Sequence, residues 1–320
     1  MKLTTIIAIF SMPLIFAETG WAQSYPTRPI RMIVPYAPAG STDITGRNIA
    51  QRMTANMGQQ VVVDNRSGAA GVIGTDLVAK STPDGYTILL STNAFTANPW
   101  LYSKLPYNTE KDFAPITLVT SAPNLLAAHP SVPARTANEL IALARSKPGQ
   151  LTIANSGVGQ PSHLASELLK QMAKIDLVVV PYRGTGASIS DLVGGQVMMS
   201  FGAMPGLIAY VRAGKLNAIA IGSLKRDPAL PDVPAMAETL PGFEVVSWYG
   251  MFAAANTPKE IVTRLQREIA KALNDPQLKQ RLANEGFESG GMTPDQFGEI
   301  VRTDLARWKK VIREANIRIE

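Results

Sequence analysis

The chain has 320 residues, 46% hydrophobic and 18% charged, with 31 Lys and Arg against 25 Asp and Glu and a formal net charge of +6. This length suits two domains or one large one, and the composition is far from that of a charge-rich disordered chain. The lack of Cys excludes a disulfide framework, a thiolate nucleophile and Cys-ligated metal, and with only two His, His129 and His163, little remains for a His-based metal site.

The N-terminus reads as an export signal. Met1-Lys2 gives a short positive start, residues 6–17 are an apolar run, and Gly20-Trp21-Ala22 supplies small residues for cleavage near Ala22. The run is too short to span a bilayer, which takes about 20 apolar residues. The chain is therefore expected to be exported and soluble, its lack of Cys fitting an oxidising compartment. Basic residues are dispersed, the longest pure run being Lys309-Lys310; this argues against nucleic acid and for a mild bias toward anionic ligands.

From there, β-rich runs alternate with helical patterns. Strands are expected over residues 30–36, 61–64, 86–91, 116–120, 151–155, 177–182, 197–201, 216–221 and 245–252. The continuous run Leu177-Val178-Val179-Val180 suits a parallel strand buried on both faces. The alternation predicts an α/β fold with helices covering a mostly parallel sheet. Thr136-Ala137-Asn138-Glu139, Thr257-Pro258-Lys259-Glu260 and Thr293-Pro294-Asp295-Gln296 read as capping boxes at helix starts. Ile261, Leu265, Ile269 and Leu273, then Phe297, Val301, Leu305, Trp308 and Ile312, form apolar helix stripes that face a core. Val34-Pro35-Tyr36 with its Gly-containing loop echoes Val180-Pro181-Tyr182 with its own, which suggests two lobes of like architecture.

Four segments put small polar residues between a strand and a helix, where α/β sheets place their ligand crevice. The first is Ala37-Pro38-Ala39-Gly40-Ser41-Thr42-Asp43, with Asp43 as a helix cap; a capped turn without ligand is the plainer alternative. The second, Asn65 to Gly71, lacks the Gly-Lys-Ser/Thr ending of a phosphate loop. The third runs from Ser91 through Asn93 and Phe95 to Asn98. The fourth holds Asn155-Ser156-Gly157-Val158-Gly159-Gln160-Pro161-Ser162-His163; its glycines free the backbone for an anion cradle, and Ser162 is an expected N-cap. His163 is expected in the first helical turn, bonded to a loop or ligand. No nucleophile elbow, carboxylate pair or metal spacing accompanies these loops. Amides, hydroxyls and rings without proton-moving groups suit binding, with two lobes hinging over a small anion.

The segments Tyr25-Pro26-Thr27-Arg28-Pro29-Ile30, Val34 to Asp43, Val61 to Gly74, Pro83-Asp84-Gly85-Tyr86, Val180-Pro181-Tyr182-Arg183-Gly184, Asp191-Leu192-Val193-Gly194-Gly195-Gln196 and Arg212-Ala213-Gly214-Lys215 resemble, in order and spacing, the Bug-type solute receptors of tripartite tricarboxylate transporters. The resemblance covers nearly the whole chain after the signal. It implies a two-lobed periplasmic binding protein of type II (Venus-flytrap) with two crossover strands, lobe 1 being residues 25–122 plus 246–320 and lobe 2 residues 123–245. It implies a receptor that captures a small organic carboxylate and delivers it to the membrane permease subunits of a transporter. The receptor would be a monomer and not an enzyme, with no cofactor or metal. Carried over to matching positions, the ligand wall would be Tyr36, Ala39, Gly40, Ser41, Thr42, Asp43, Asn93, Phe95 and Asn98 in lobe 1. In lobe 2 it would be Ser156, Gly157, Gly159, Gln160, His163, Tyr182, Thr185 and Gly186. Ala39, Ala70, Val72 and Gly202 depart from the family pattern of Gly, Gly, Asn and Asp. An exported hydrolase using Ser156 or Asp43, and a ligand-sensing module for a membrane kinase, are the alternatives.

Overall fold

The structure of the protein is a computed structural model. It describes residues 25–38, 40–182 and 184–314 together with Ile317. The expected signal peptide and the site candidate Ala39 lie outside the described residues. The first stretch runs β1 (Ile30–Val34), α1 (Ser41–Met57), β2 (Val61–Asn65), α2 (Val72–Ala79), β3 (Thr87–Thr92), α3 (Ala94–Leu101) and β4 (Phe113–Ala128). Next come α4 (Ala137–Ser146), β5 (Thr152–Asn155), α5 (Pro161–Ala173), β6 (Val178–Pro181), α6 (Thr185–Val193), β7 (Met199–Ala203), α7 (Met204–Arg212) and β8 (Asn217–Ile221). The chain ends with β9 (Val246–Ala254), α8 (Lys259–Leu273), α9 (Pro276–Asn284), β10 (Glu288–Ser289) and α10 (Pro294–Glu314).

Each of the nine expected strands forms, but the sheet is mixed. Strands pair in the order β2-β1-β3-β9-β4-β7-β5-β6. Pairs β1–β2, β1–β3, β5–β6 and β5–β7 are parallel, whereas β9, β8 and β10 run antiparallel to their neighbours and β4 is antiparallel throughout. The mostly parallel expectation therefore holds only for the two flanks. The run from Leu177 is also misread: β6 is an edge strand, and Val178 is 45% exposed. For the same reason the Val-Pro-Tyr echo is local, since β1 is paired on both sides and β6 on one.

Strand β4 is the longest, and it changes partners partway. Phe113 to Pro123 pairs with β9, then Asn124 to Ala128 pairs with β7 on one side while Leu125 to Ala128 pairs with β8 on the other. Pro115 and Pro123 interrupt its sequence pattern, but each sits where its missing N–H is tolerated, at a register shift and at the change of partner. The return crossing lies alongside: Asn124 N–H and its side-chain amide both donate to the Val245 carbonyl, each at 3.2 Å, and the amide also donates to Ser247 Oγ at 3.0 Å. Two half-sheets, covered by their own helices and joined by two adjacent crossings, make the two-lobed fold of periplasmic binding proteins.

Helix starts follow the sequence in two of three boxes. Thr136 and Glu139 cap each other's backbone at α4, and Thr293 and Gln296 do so at α10; such a cap contributes about 1 kcal/mol. At α8 the box fails: Thr257 Oγ1 donates to the Ala254 carbonyl at 2.7 Å, and Pro258 becomes the N-cap. The α10 stripe is buried as expected. Its first half packs on an aromatic cluster in which Phe252 stacks on Phe95 at 4.2 Å and Phe297 meets Trp248 and Phe252 at 5.7 and 5.1 Å. Trp308, Val311 and Ile312 at its far end join the core that holds Leu164 and Leu168 of α5, so α10 spans both lobes.

A Cβ at Gly250 would lie 2.1 Å from Phe297 Cζ. Gly250→Ala is expected to lower unfolding free energy by about 1–3 kcal/mol in urea melts. Adding Phe297→Leu should cost less than the sum of the two single changes. An unchanged midpoint for Gly250→Ala would contradict this packing.

Candidate functional site

A cavity of about 910 Å³ opens between the half-sheets. Its first wall is residues 35–38 and 40–42, which follow β1, together with residues 67–71, which lead into α2. The opposite wall comes from residues 156–158 and 160–162, from 182 and 184–189, and from 200–203 at the end of β7. Asn124, Ser247 and Tyr249 of the crossings close its floor. Among the described residues lining it, none is charged.

Five helices begin at this cavity. Their N-cap residues are Gly40 of α1, Gly71 of α2, Gln160 of α5, Gly184 of α6 and Ala203 of α7, and each lines it. None of the five is capped by a side chain. The helices that are so capped, α4 by Thr136, α9 by Asp275 and α10 by Thr293, start elsewhere. First-turn N–H groups have no acceptor inside their own helix and carry partial positive charge. The described wall thus offers an anion dipoles and hydroxyls.

Of the residues expected at the site, Tyr36, Gly40, Ser41, Thr42, Ser156, Gly157, Gln160, Tyr182, Thr185 and Gly186 line the cavity. Six others are placed behind it. Asp43 lies in the first turn of α1 without capping it, buried and ion-paired with Arg47 at 3.0 Å. Asn93 is a bracket: its Oδ1 accepts from Trp248 N–H at 2.9 Å and its amide donates to the Val246 carbonyl and to Asp304. Phe95 belongs to the aromatic core. Asn98 donates to the Ala70 carbonyl at 3.3 Å, steadying a turn in which Ala69 and Ala70 hold φ of 46° and 50°. Gly159 faces α3, and His163 is buried in the first turn of α5, its Nδ1 accepting from Gly159 N–H at 3.2 Å.

The loop before α5 is not the open amide cradle its glycines suggest. Ser156 N–H donates to Ser162 Oγ at 2.9 Å, Gly157 N–H to Asn155 Oδ1 at 2.8 Å, and Gln160 N–H to the Gly157 carbonyl. Ser162 acts through this bond from inside the helix, with Gln160 as N-cap. Ser156 Oγ pairs with Ser162 Oγ at 2.8 Å, and His163 is engaged with Gly159. Ser156 and His163 thus have separate partners. The phenols at the cleft remain protonated: burial raises Tyr36, which bonds Thr92 Oγ1 at 2.9 Å, and pushes Tyr249 up to about 12 against its bond with Ser41. Desolvation, then the Asp191 carboxylate that accepts its proton, lifts Tyr182 to about 12.

Sequence reasoning missed the wall contributed by residues 67–71, Ser200, Ser247 and Tyr249. The first was visible as a strand-end loop and set aside for lacking a phosphate motif. The others sit within strands, where neighbouring residues alternate faces and nothing local says which face meets a cavity.

The family model for the tripartite tricarboxylate transporter family receptor matches residues 45–317. BugT of Bordetella pertussis is 35% identical over 322 residues, covering 100% of this chain and 99% of that protein. R. palustris Rpa4515, solved with adipate, superposes with a TM-score of 0.86 at 35% identity, covering 92% of this chain and 100% of that one. The periplasmic binding protein BugD gives 0.84 at 35% identity over the same shares.

Desolvation holds the His163 imidazole below its ordinary value. The unfolded chain therefore takes up this proton first, at about pH 6.5. Stability tied to His163 is intact above that pH and declines as pH falls from it toward the folded pKa. The melting temperature should drop between about pH 7 and about pH 5 more steeply in the native protein than in His163→Gln. Parallel curves would contradict the assignment.

Proposed function

The chain belongs to the tripartite tricarboxylate transporter receptor family and is a solute-binding receptor; on that premise we propose that its ligand is a small organic carboxylate held at the uncapped helix starts. The observation that carries this reading is the convergence of five such starts on one cavity. A carboxylate there exchanges water for oriented N–H and O–H dipoles. Tyr36, Gly40, Ser41, Thr42, Ser156, Gly157, Gln160, Tyr182, Thr185 and Gly186 are the proposed contacts, with Gly71, Ser200 and Tyr249 added from the cavity wall. The adipate of Rpa4515 supports the ligand class.

We take the lobes as residues 25–122 with 246–320 and residues 123–245, which agrees with the change of partner along β4. The receptor is exported with cleavage near Ala22 and acts in the periplasm as a monomer. It releases its ligand unchanged to membrane permease subunits.

A thermal-shift panel of mono-, di- and tricarboxylates tests the ligand class. A true ligand at 100 times its Kd should add about 2.7 kcal/mol of stability. No shift from any member would contradict the reading. Ser41→Ala and Ser156→Ala should each weaken binding by about 0.5–1.5 kcal/mol in calorimetry. Unchanged affinity in the double variant would remove these two contacts from the site.

A further inference from the structure

Gly159 does not line the cavity, yet it stands where the lobes touch. It lies between β5 and α5 of the second lobe, and a Cβ built on it would sit 2.6 Å from Leu101 Cδ1 and 3.7 Å from Asn98 Oδ1, both on α3 of the first. Leu101 is 1% exposed and shares a core cluster with Leu164, Ala165 and Leu168 of α5. On the other side, Asn98 holds the Ala70 carbonyl of the first lobe's cavity wall. The Gly159 N–H is tied to His163 Nδ1, which keeps the loop in place against α3. One position without a side chain therefore lets the anion-facing loops of both lobes approach across α3.

We propose that Gly159 is a positioning residue for closure: its missing side chain sets how near the second lobe can come to Leu101, and through that distance the affinity of the cleft. The assignment rests on the receptor reading above, in which the ligand is trapped between lobes. It also separates two roles that the glycines of this loop could play. Gly157 is at the wall, whereas Gly159 acts through the opposite lobe.

The test compares wild type, Gly159→Ala, Leu101→Ala and the double variant. Adipate and a series of di- and tricarboxylates are the probes, read by calorimetry and by small-angle scattering at saturation. Gly159→Ala should bind about tenfold more weakly, with a larger radius of gyration in the presence of probe. Removing the Leu101 side chain in the same chain should recover most of both. Because Gly159 has φ of +79°, Ala there also strains the backbone. If the double variant binds as weakly as Gly159→Ala while Leu101→Ala binds normally, strain and not the cross-lobe contact is responsible, and the proposal fails. Wild-type affinity in Gly159→Ala also overturns it. Should Leu101→Ala not fold, Leu101→Val vacates the Cδ position with less loss of core and takes its place. If wild type binds no probe, the carboxylate reading falls and this assignment with it; binding by wild type with no effect at Gly159 sinks the closure contact alone.

Discussion

A single strand that must satisfy its hydrogen bonds in two sheets organises this molecule. Strand β4 pairs with β9 as far as Pro123 and with β7 and β8 beyond it. Buried backbone donors and acceptors have to be paired, so the exchange of partner cannot drift along the strand without leaving groups unsatisfied. Asn124 secures it by bonding Val245 and Ser247 of the return crossing. The cleft lies between the two half-sheets on either side of that line.

The same economy governs the cleft's electrostatics. A buried cation would favour an anion but would cost several kcal/mol to desolvate whenever the site was empty. Helix starts supply a weaker, fixed positive potential with no ionised side chain to desolvate. Leaving them without side-chain caps gives up only a few tenths of a kcal/mol at the Gly N-caps and roughly 1 kcal/mol at Ala203, and keeps their N–H groups available to solvent or ligand. Helices α4, α9 and α10, which begin away from the cleft, retain their caps.

Behind the wall, a polar bracket ties the first lobe to the return crossing. Asp304 of α10 accepts from Trp248 Nε1 at 2.5 Å and from Asn93, and burial raises its pKa against these bonds and the nearby Arg307 charge. Arg307 holds Glu244 just before the crossing, through its carboxylate and its carbonyl. Helix α10 then continues onto the core of the second lobe, where Gln171 donates to Glu314. Asn93 and Phe95 serve this scaffold, and Asn98 the turn at Ala70. They look like site residues in the sequence because polar groups next to a ring after a strand are as suited to bracing a crossing as to meeting a ligand.

The sequence by itself determined where most elements lie and a few of their ends. Apolar runs marked all nine longer strands, Thr136 and Thr293 marked two helix starts, and the strand-end loops after β1, β5 and β6 marked most of the wall. These are local properties, set by residue spacing and by hydrogen bonds a few residues long. Only the tertiary structure decided which loops face each other, that β6 is an edge, that the sheet is mixed, and that Ser200, Ser247 and Tyr249 reach the cavity. Those facts depend on pairings between residues far apart in the chain, such as Asn124 with Val245 and Gly159 with Leu101. Such pairings are chosen by how whole lobes fit together, and no short window of sequence contains that information.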